Sequence, residues 1–213
     1  MSSSNVAPGG AEVPGATGQV TDPARATTER NTDDAILDAA ADLIVQLGVQ
    51  RAQLSEIARR AGVSRPTVYR RWPDVRAVIG ALLTREIRAV QADVPPIGGD
   101  RASVVAWILE IAVRLRDHPV LGALLHSDAD TLHEYVVERL GTSQRGLIDA
   151  LAEGIVLGQH HGSIRPGEPA QLAAMVLLIA QSTVQSHRMV AHLLPEPAWR
   201  RELATALNGY LAP

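Results

Sequence analysis

From Ile36 onward, apolar side chains fall at Ile36, Leu37, Ala40, Leu43, Ile44 and Leu47, with Asp38, Asp42 and Gln46 between them. That three-and-four spacing predicts an amphipathic helix with one wet face. Asn31 or Thr32 is placed to cap it, Asp33 and Asp34 suit its first turn, and Gly48 stops it. Two short helices are expected next, over about 54–61 and 65–72, separated by Gly62, Val63 and Ser64. A fourth begins after Asp74, whose side chain can cap it, and carries Val75, Val78, Ile79, Leu82, Leu83, Ile87 and Val90. The stretch VPPIGGD, residues 94–100, then breaks the period with two prolines and two glycines. Past it, helical spacing resumes over about 101–116, 120–125, 131–160, 169–193 and 197–211.

No hairpin dipeptide and no sustained alternation occurs, so the expected fold class is all-α. Residues 1–30 are rich in Ser, Gly, Pro, Ala and Thr and offer too little apolar surface to offset chain ordering, so a disordered tail is expected there. Three helices over residues 31–78 would form one unit, and residues 79–213 a helical bundle.

The most specific stretch is IARRAGVSRPTVYRRW, residues 57–72. Ala58 is small enough for close helix crossing, Gly62 sits four residues later where a left-handed turn is needed, and Val68 follows as an inward apolar residue. That spacing is the helix-turn-helix pattern. Ser64 is a natural cap, and Pro66 is tolerated in a first turn because its missing N–H has no intrahelical partner there. Val68 and Trp72, four apart, are expected inside. Arg65, Pro66, Thr67, Tyr69, Arg70 and Arg71 are then left outside, where Arg suits guanine edges in a major groove and Tyr a phosphate.

Charge sharpens this reading. The 213-residue chain carries a net −3, yet residues 51–76 hold seven arginines (51, 59, 60, 65, 70, 71 and 76) against Glu56 and Asp74, a local +5 that leaves −8 elsewhere. An anionic partner for that window fits double-stranded DNA. There is no Cys, which removes disulfides, thiolate metal sites and cysteine nucleophiles, and no Lys. Only 3% of the chain is aromatic, and Phe is absent, so aliphatic side chains must fill the interior.

In these residues the chain resembles the TetR family of bacterial transcriptional regulators. The resemblance covers about residues 34–80: AILDAAADLIVQLGV, then LSEIARRAGVSRPTVYRRWPD, then the start of the fourth helix. It implies an N-terminal three-helix helix-turn-helix DNA-binding domain followed by a helical-bundle ligand-binding and dimerisation domain. Tyr69 stands at the family's phosphate-contacting tyrosine, and Trp72 where an aromatic residue closes the core. Gln53 occupies a position where Ser or Thr often bonds phosphate. Val75 replaces a frequent lysine, with Arg76 one residue later as its substitute, and Arg30 is the nearest candidate for a phosphate or minor-groove contact. The implied DNA-binding set is Arg30, Gln53, Ser64, Arg65, Pro66, Thr67, Tyr69, Arg70, Arg71 and Arg76.

The resemblance further implies a homodimer joined by the last two helices and an effector pocket between the fourth and eighth. LAAMVLLIAQSTVQ, residues 172–185, is apolar around most of its circumference, as a helix with two buried faces must be. Candidate pocket residues are Trp107, Ile111, Leu115, Leu125, Leu147, Leu151, Ile155 and Met175, with His118, His126 or Gln181 as polar contacts. Such a pocket suits an apolar or amphipathic small molecule. The implied activity is repression from a palindromic operator, relieved by the effector. The alternative is a helical ligand-binding or interaction protein whose helix-turn-helix no longer binds DNA.

Enzymatic and metal readings lack a carrier. The adjacent His160 and His161 point to different sides of a helix, and no HExxH, Walker A loop, GxGxxG or GxSxG occurs. No cofactor is expected. No apolar run approaches the roughly 18–20 residues of a membrane span, and MSSSNVAPGGAEV lacks a secretory leader's basic start and apolar core, so the expected location is cytoplasmic.

Overall fold

A computed structural model describes the backbone of residues 23–125 and 141–213, with side chains over 31–124 and 141–213. Among the described residues every regular element is helical: α1 (Pro23–Leu47), α2 (Leu54–Arg60), α3 (Arg65–Arg71), α4 (Val75–Ala92), α5 (Arg101–Asp117), α6 (Pro119–Leu125), α7 (Thr142–His160), α8 (Pro169–Val190) and α9 (Glu196–Leu211), plus a 3-10 turn at Val49–Arg51.

The helix ends follow their local chemistry. Gly48, at φ 80°, stops α1. Asp74 accepts from the Ala77 N–H at 2.8 Å to start α4. Asp100 and Ser103 make a reciprocal cap on α5, the Ser103 N–H donating to Asp100 Oδ1 at 2.8 Å.

Two expectations are corrected. α1 begins at Pro23 rather than near residue 31, so Asn31 and Thr32 lie inside a helix instead of capping one. The physical reason is that no Gly or Pro follows Pro23 before Gly48, and Pro is well suited to a first turn. The helix expected over 131–160 starts instead at Thr142, because Gly141 sits in an extended conformation with its N–H donating to Gln144 Oε1 at 2.7 Å. Residues 1–22 and 126–140 lie outside the described residues.

Two apolar cores result. The first gathers Ile36, Leu37, Ala40, Leu43 and Ile44 of α1, Leu54, Ile57 and Ala58 of α2, Val68 of α3, and Val78, Ile79 and Leu82 of α4. Val120 and Leu124 of α6 complete it, although they follow α1 by some eighty positions. The second core takes Val90 of α4 together with α5, α7, α8 and α9, centred on Ile108, Ile111, Leu151, Ile155, Trp199 and Leu207. Helix α4 therefore belongs to both and runs through residue 78 without interruption.

Polar contacts tie the same joint. Arg85 of α4 pairs with Asp38 of α1 at 2.8 Å and donates to the Asp34 carbonyl at 3.3 Å. Its other two nitrogens donate to Glu86 Oε1 at 2.7 and 2.9 Å, and Glu86 faces His118 Nε2 between α5 and α6 at 3.4 Å.

In the second core, α7 approaches its neighbours at Gly154. A Cβ there would lie 2.6 Å from Ile97 Cγ2 and 3.1 Å from Val104 Cγ2. Gly154→Ala is therefore expected to lower stability by about 1–3 kcal/mol through overpacking, read as an earlier midpoint in chemical denaturation.

Candidate nucleic-acid interface and ligand cavity

The turn before α3 is built by backbone hydrogen bonds. Gly62, at φ 66°, lets its N–H reach the Arg59 carbonyl at 3.4 Å while the Val63 N–H reaches the Ala58 carbonyl at 3.1 Å. This is a Schellman closure, and the half-buried Val63 supplies its apolar contact with the first core. Ser64 then starts α3: its Oγ accepts from the Thr67 N–H at 3.3 Å and lies 2.7 Å from Thr67 Oγ1. Val68, fully buried, anchors the helix, and Trp72 is half-buried against the same core.

With Val68 inward, Arg65, Pro66, Tyr69 and Arg70 form a contiguous exposed stripe, since each pair four apart shares a face. Tyr69 is 55% exposed, an unusual position for an aromatic side chain with no structural task. Thr67 is half-buried beside Ser64. Gln53 is exposed immediately before α2 and makes no side-chain cap there; Arg76 is exposed in the first turn of α4. The side chain of Arg30 lies outside the described residues.

Arg71 corrects the expected surface. It is half-buried, donates to Asp33 of α1 and reaches the Thr67 carbonyl at 3.5 Å, so it ties α3 to α1 instead of facing outward. Arg59 and Arg60 are also engaged: Glu56 accepts from Arg59 at 2.6 Å and from Arg60 at 3.1 Å. Hydrogen bonds from Arg59 and then Arg60 pull the Glu56 carboxyl down to about 2, so it stays ionised throughout the mildly acidic and neutral range. The outward positive charge falls to Arg65 and Arg70, with Arg51 and Arg76 exposed on flanking elements. Sequence reading counted Arg51 in the basic window but not in the contact set; its signals are that window and its place in the turn just before Gln53.

A cavity of about 550 Å³ opens between α4, α5, α6, α7 and α8. Of the expected pocket residues, Ile111, Leu115, Leu147 and Gln181 lie on its wall. Trp107, Leu151 and Ile155 are instead packed in the second core, where neighbouring helices cover them. Met175 is 44% exposed on the outer face of α8, and His118 faces Glu86. The side chains of Leu125 and His126 lie outside the described residues.

Sequence reading missed Leu83, Thr84 and Ile87 of α4, Leu121 and Leu124 of α6, Gln144 of α7, and Gln185 of α8. Gln181 and Gln185, four apart and so on one face of α8, were the readable signal. Gln144 Nε2 donates to Gln181 Oε1 at 2.9 Å, so two of these carboxamides already satisfy each other across α7 and α8.

Comparison with known proteins agrees with this anatomy. Residues 36–82 match the family model described as bacterial regulatory proteins, tetR family. An uncharacterized HTH-type transcriptional regulator of Mycobacterium bovis is 50% identical over 181 residues, covering 85% of this chain and 95% of that protein. Among solved structures, FadR of Bacillus subtilis in complex with stearoyl-CoA superposes with a TM-score of 0.59 at 19% identity, over 84% of this chain and 98% of that one. RolR in complex with resorcinol reaches a TM-score of 0.63 at 14% identity, over 88% and 90% of the two chains.

The α3 geometry separates three roles. Arg65→Ala is expected to relax base preference at one position per half-site, a loss of about 1–3 kcal/mol for the preferred sequence. Tyr69→Phe should weaken binding evenly across sequences, and Arg71→Met should lower the melting temperature without changing the salt slope. Sequence selection, salt-titrated DNA binding and thermal melting check the three in turn.

Proposed function

Because this chain belongs to the TetR family of bacterial regulatory proteins and is a DNA-binding transcriptional regulator, we propose that it is a homodimeric repressor released from a palindromic operator by a small molecule held in the α4–α8 cavity. The DNA-reading unit is taken as residues 31–78, with Arg65, Pro66, Thr67, Tyr69 and Arg70 offered to the major groove and Gln53 and Arg76 to the flanking phosphates. Residues 79–213 form the regulatory part. The protein works in the cytoplasm and carries no enzymatic role. Among the described residues no helix is long and apolar enough to cross a membrane.

One observation carries the regulatory reading. The cavity wall includes Gly80 and Thr84 of α4 and Leu121 and Leu124 of α6, and both helices also help close the first core. A ligand wedged there acts on the joint that orients α3. Relatives of the fold are described with stearoyl-CoA and with resorcinol bound, which supports a small-molecule occupant here.

In a dimer, two recognition helices must match half-sites about 34–36 Å apart, so a small change of joint angle shifts the population that fits. A coupling of about 1–3 kcal/mol gives a several-fold to hundredfold change in operator affinity.

Support for the dimer comes from the outer face of α8, where Met175, Leu178 and Met189 are exposed, Met189 to 78%. Val156 and Leu157 at the end of α7 extend that apolar surface, whereas the outward residues of α9 include Arg201, Glu202 and Thr205. These exposed side chains support a dimer face chiefly on α8, with α9 beside it.

Selection of random duplexes by the purified chain tests the reading. A palindromic site should emerge whose affinity falls steeply with salt; lack of enrichment would sink it. Arg85→Met, which removes the contacts to Asp34 and Asp38, is expected to weaken operator binding several-fold without weakening ligand binding, since a shift away from the operator-fitting state can only favour the ligand. Parallel titrations with operator DNA and with ligand check that split.

A further inference from the structure

Resting on the reading of the cavity as a ligand site, we infer that its ligand is an uncharged molecule with an apolar body and one hydrogen-bond-accepting oxygen, such as a ketone or amide carbonyl, that docks on Nε2 of Gln185.

The donor is the key observation. Gln185 lines the cavity, and its Nε2 is buried with no hydrogen-bond partner among the described residues. A buried N–H left unmade is costly, and native structures rarely retain one without a task. Here the open volume beside it provides room for an acceptor that the protein does not supply.

Most other polar groups on the described wall are already engaged, with the small hydroxyl of Ser143 beside them. Gln144 bonds Gln181 at 2.9 Å and takes the Gly141 N–H at 2.7 Å, and Thr84 donates to the Gly80 carbonyl of its own helix at 2.9 Å. The charged groups on the described wall are Asp74 and Arg76; both are exposed, and Asp74 caps α4. A carboxylate or ammonium buried against Gln185 would lose its hydration, whereas a neutral oxygen gains a partner without that loss. Apolar side chains of α4, α5, α6, α7 and α8 form most of the remaining wall, so the body of the ligand is apolar. A volume of about 550 Å³ falls within the range of small-molecule sites.

The test uses three matched probes on the full chain: benzophenone, diphenylmethane, which replaces the carbonyl by a methylene, and 4-benzoylbenzoate, which adds an anion. Calorimetric titration should show benzophenone binding roughly tenfold more tightly than diphenylmethane, the scale of one recovered hydrogen bond, with the carboxylate weakest. Gln185→Leu should abolish the difference between the first two while melting at a similar temperature. Gln185→Glu should weaken benzophenone further.

Equal binding by the matched pair, survival of the difference in Gln185→Leu, preference for the carboxylate, or no binding by any probe would each overturn the inference. Operator release is measured separately. Carbonyl-selective binding without release would remove the regulatory reading and leave the ligand class standing. Release by a ligand that ignores Gln185 would do the reverse.

Discussion

Burial of Val120 and Leu124 against α1 is the contact on which the molecule's arrangement turns. Those two side chains are deeply buried in the first core. Without them the apolar stripe of α1 would be left partly wet, since α2, α3 and the start of α4 are too short to cover it alone. The helix that covers it belongs by sequence to the bundle. The N-terminal helix-turn-helix unit is thus held in a seat, and α4 passes from that seat into the second core with Arg85 fastening it to Asp34 and Asp38. Anything that displaces α6 must either carry the first core with it or open it.

This arrangement explains why the cavity matters beyond its size. Leu124 is at once a cavity wall and a core residue, so a ligand cannot fill the space beside it without bearing on the packing of α1. Close-packed interiors transmit such displacements because they have few voids to absorb them. Charge is organised with similar economy. Of the seven arginines between 51 and 76, Arg59, Arg60 and Arg71 hold neighbouring carboxylates, and Arg65 and Arg70 remain on the outward stripe of α3. A net-acidic protein thereby presents a basic helix without a basic surface overall, which favours docking in one orientation over loose attraction along the duplex.

Much of this was legible in the sequence wherever the determining interaction is local. Gly48, Ser64, Asp74 and Gly62 act within four residues of themselves, and each stands in the structure where its chemistry requires. The inward period of α1 and the lone inward Val68 of α3 follow from helical geometry. Arg71 was not legible, because its partner Asp33 lies 38 positions away and only the crossing of α1 and α3 brings them together. The cavity was half legible for a related reason. Helical spacing identifies which residues of the bundle turn inward but not which of them meet a neighbour and which meet a void, so Leu151 and Ile155 looked as eligible as Leu147. The extension of α1 back to Pro23 escaped notice because polar residues such as Arg25, Thr27 and Thr28 carry no apolar period, although nothing there breaks a helix.

Consider finally the turn before α3. A Cβ on Gly62 would meet nothing within 4 Å, so the glycine is not there to make room. What the position selects is handedness: its φ of 66° belongs to the mirror-image half of conformational space, from which L side chains are largely barred. A D-alanine placed at 62 by chemical synthesis would occupy its own favoured basin and narrow the freedom of the unfolded chain. The turn that leads into α3 is thus a stereochemical lock, indifferent to bulk and strict about chirality.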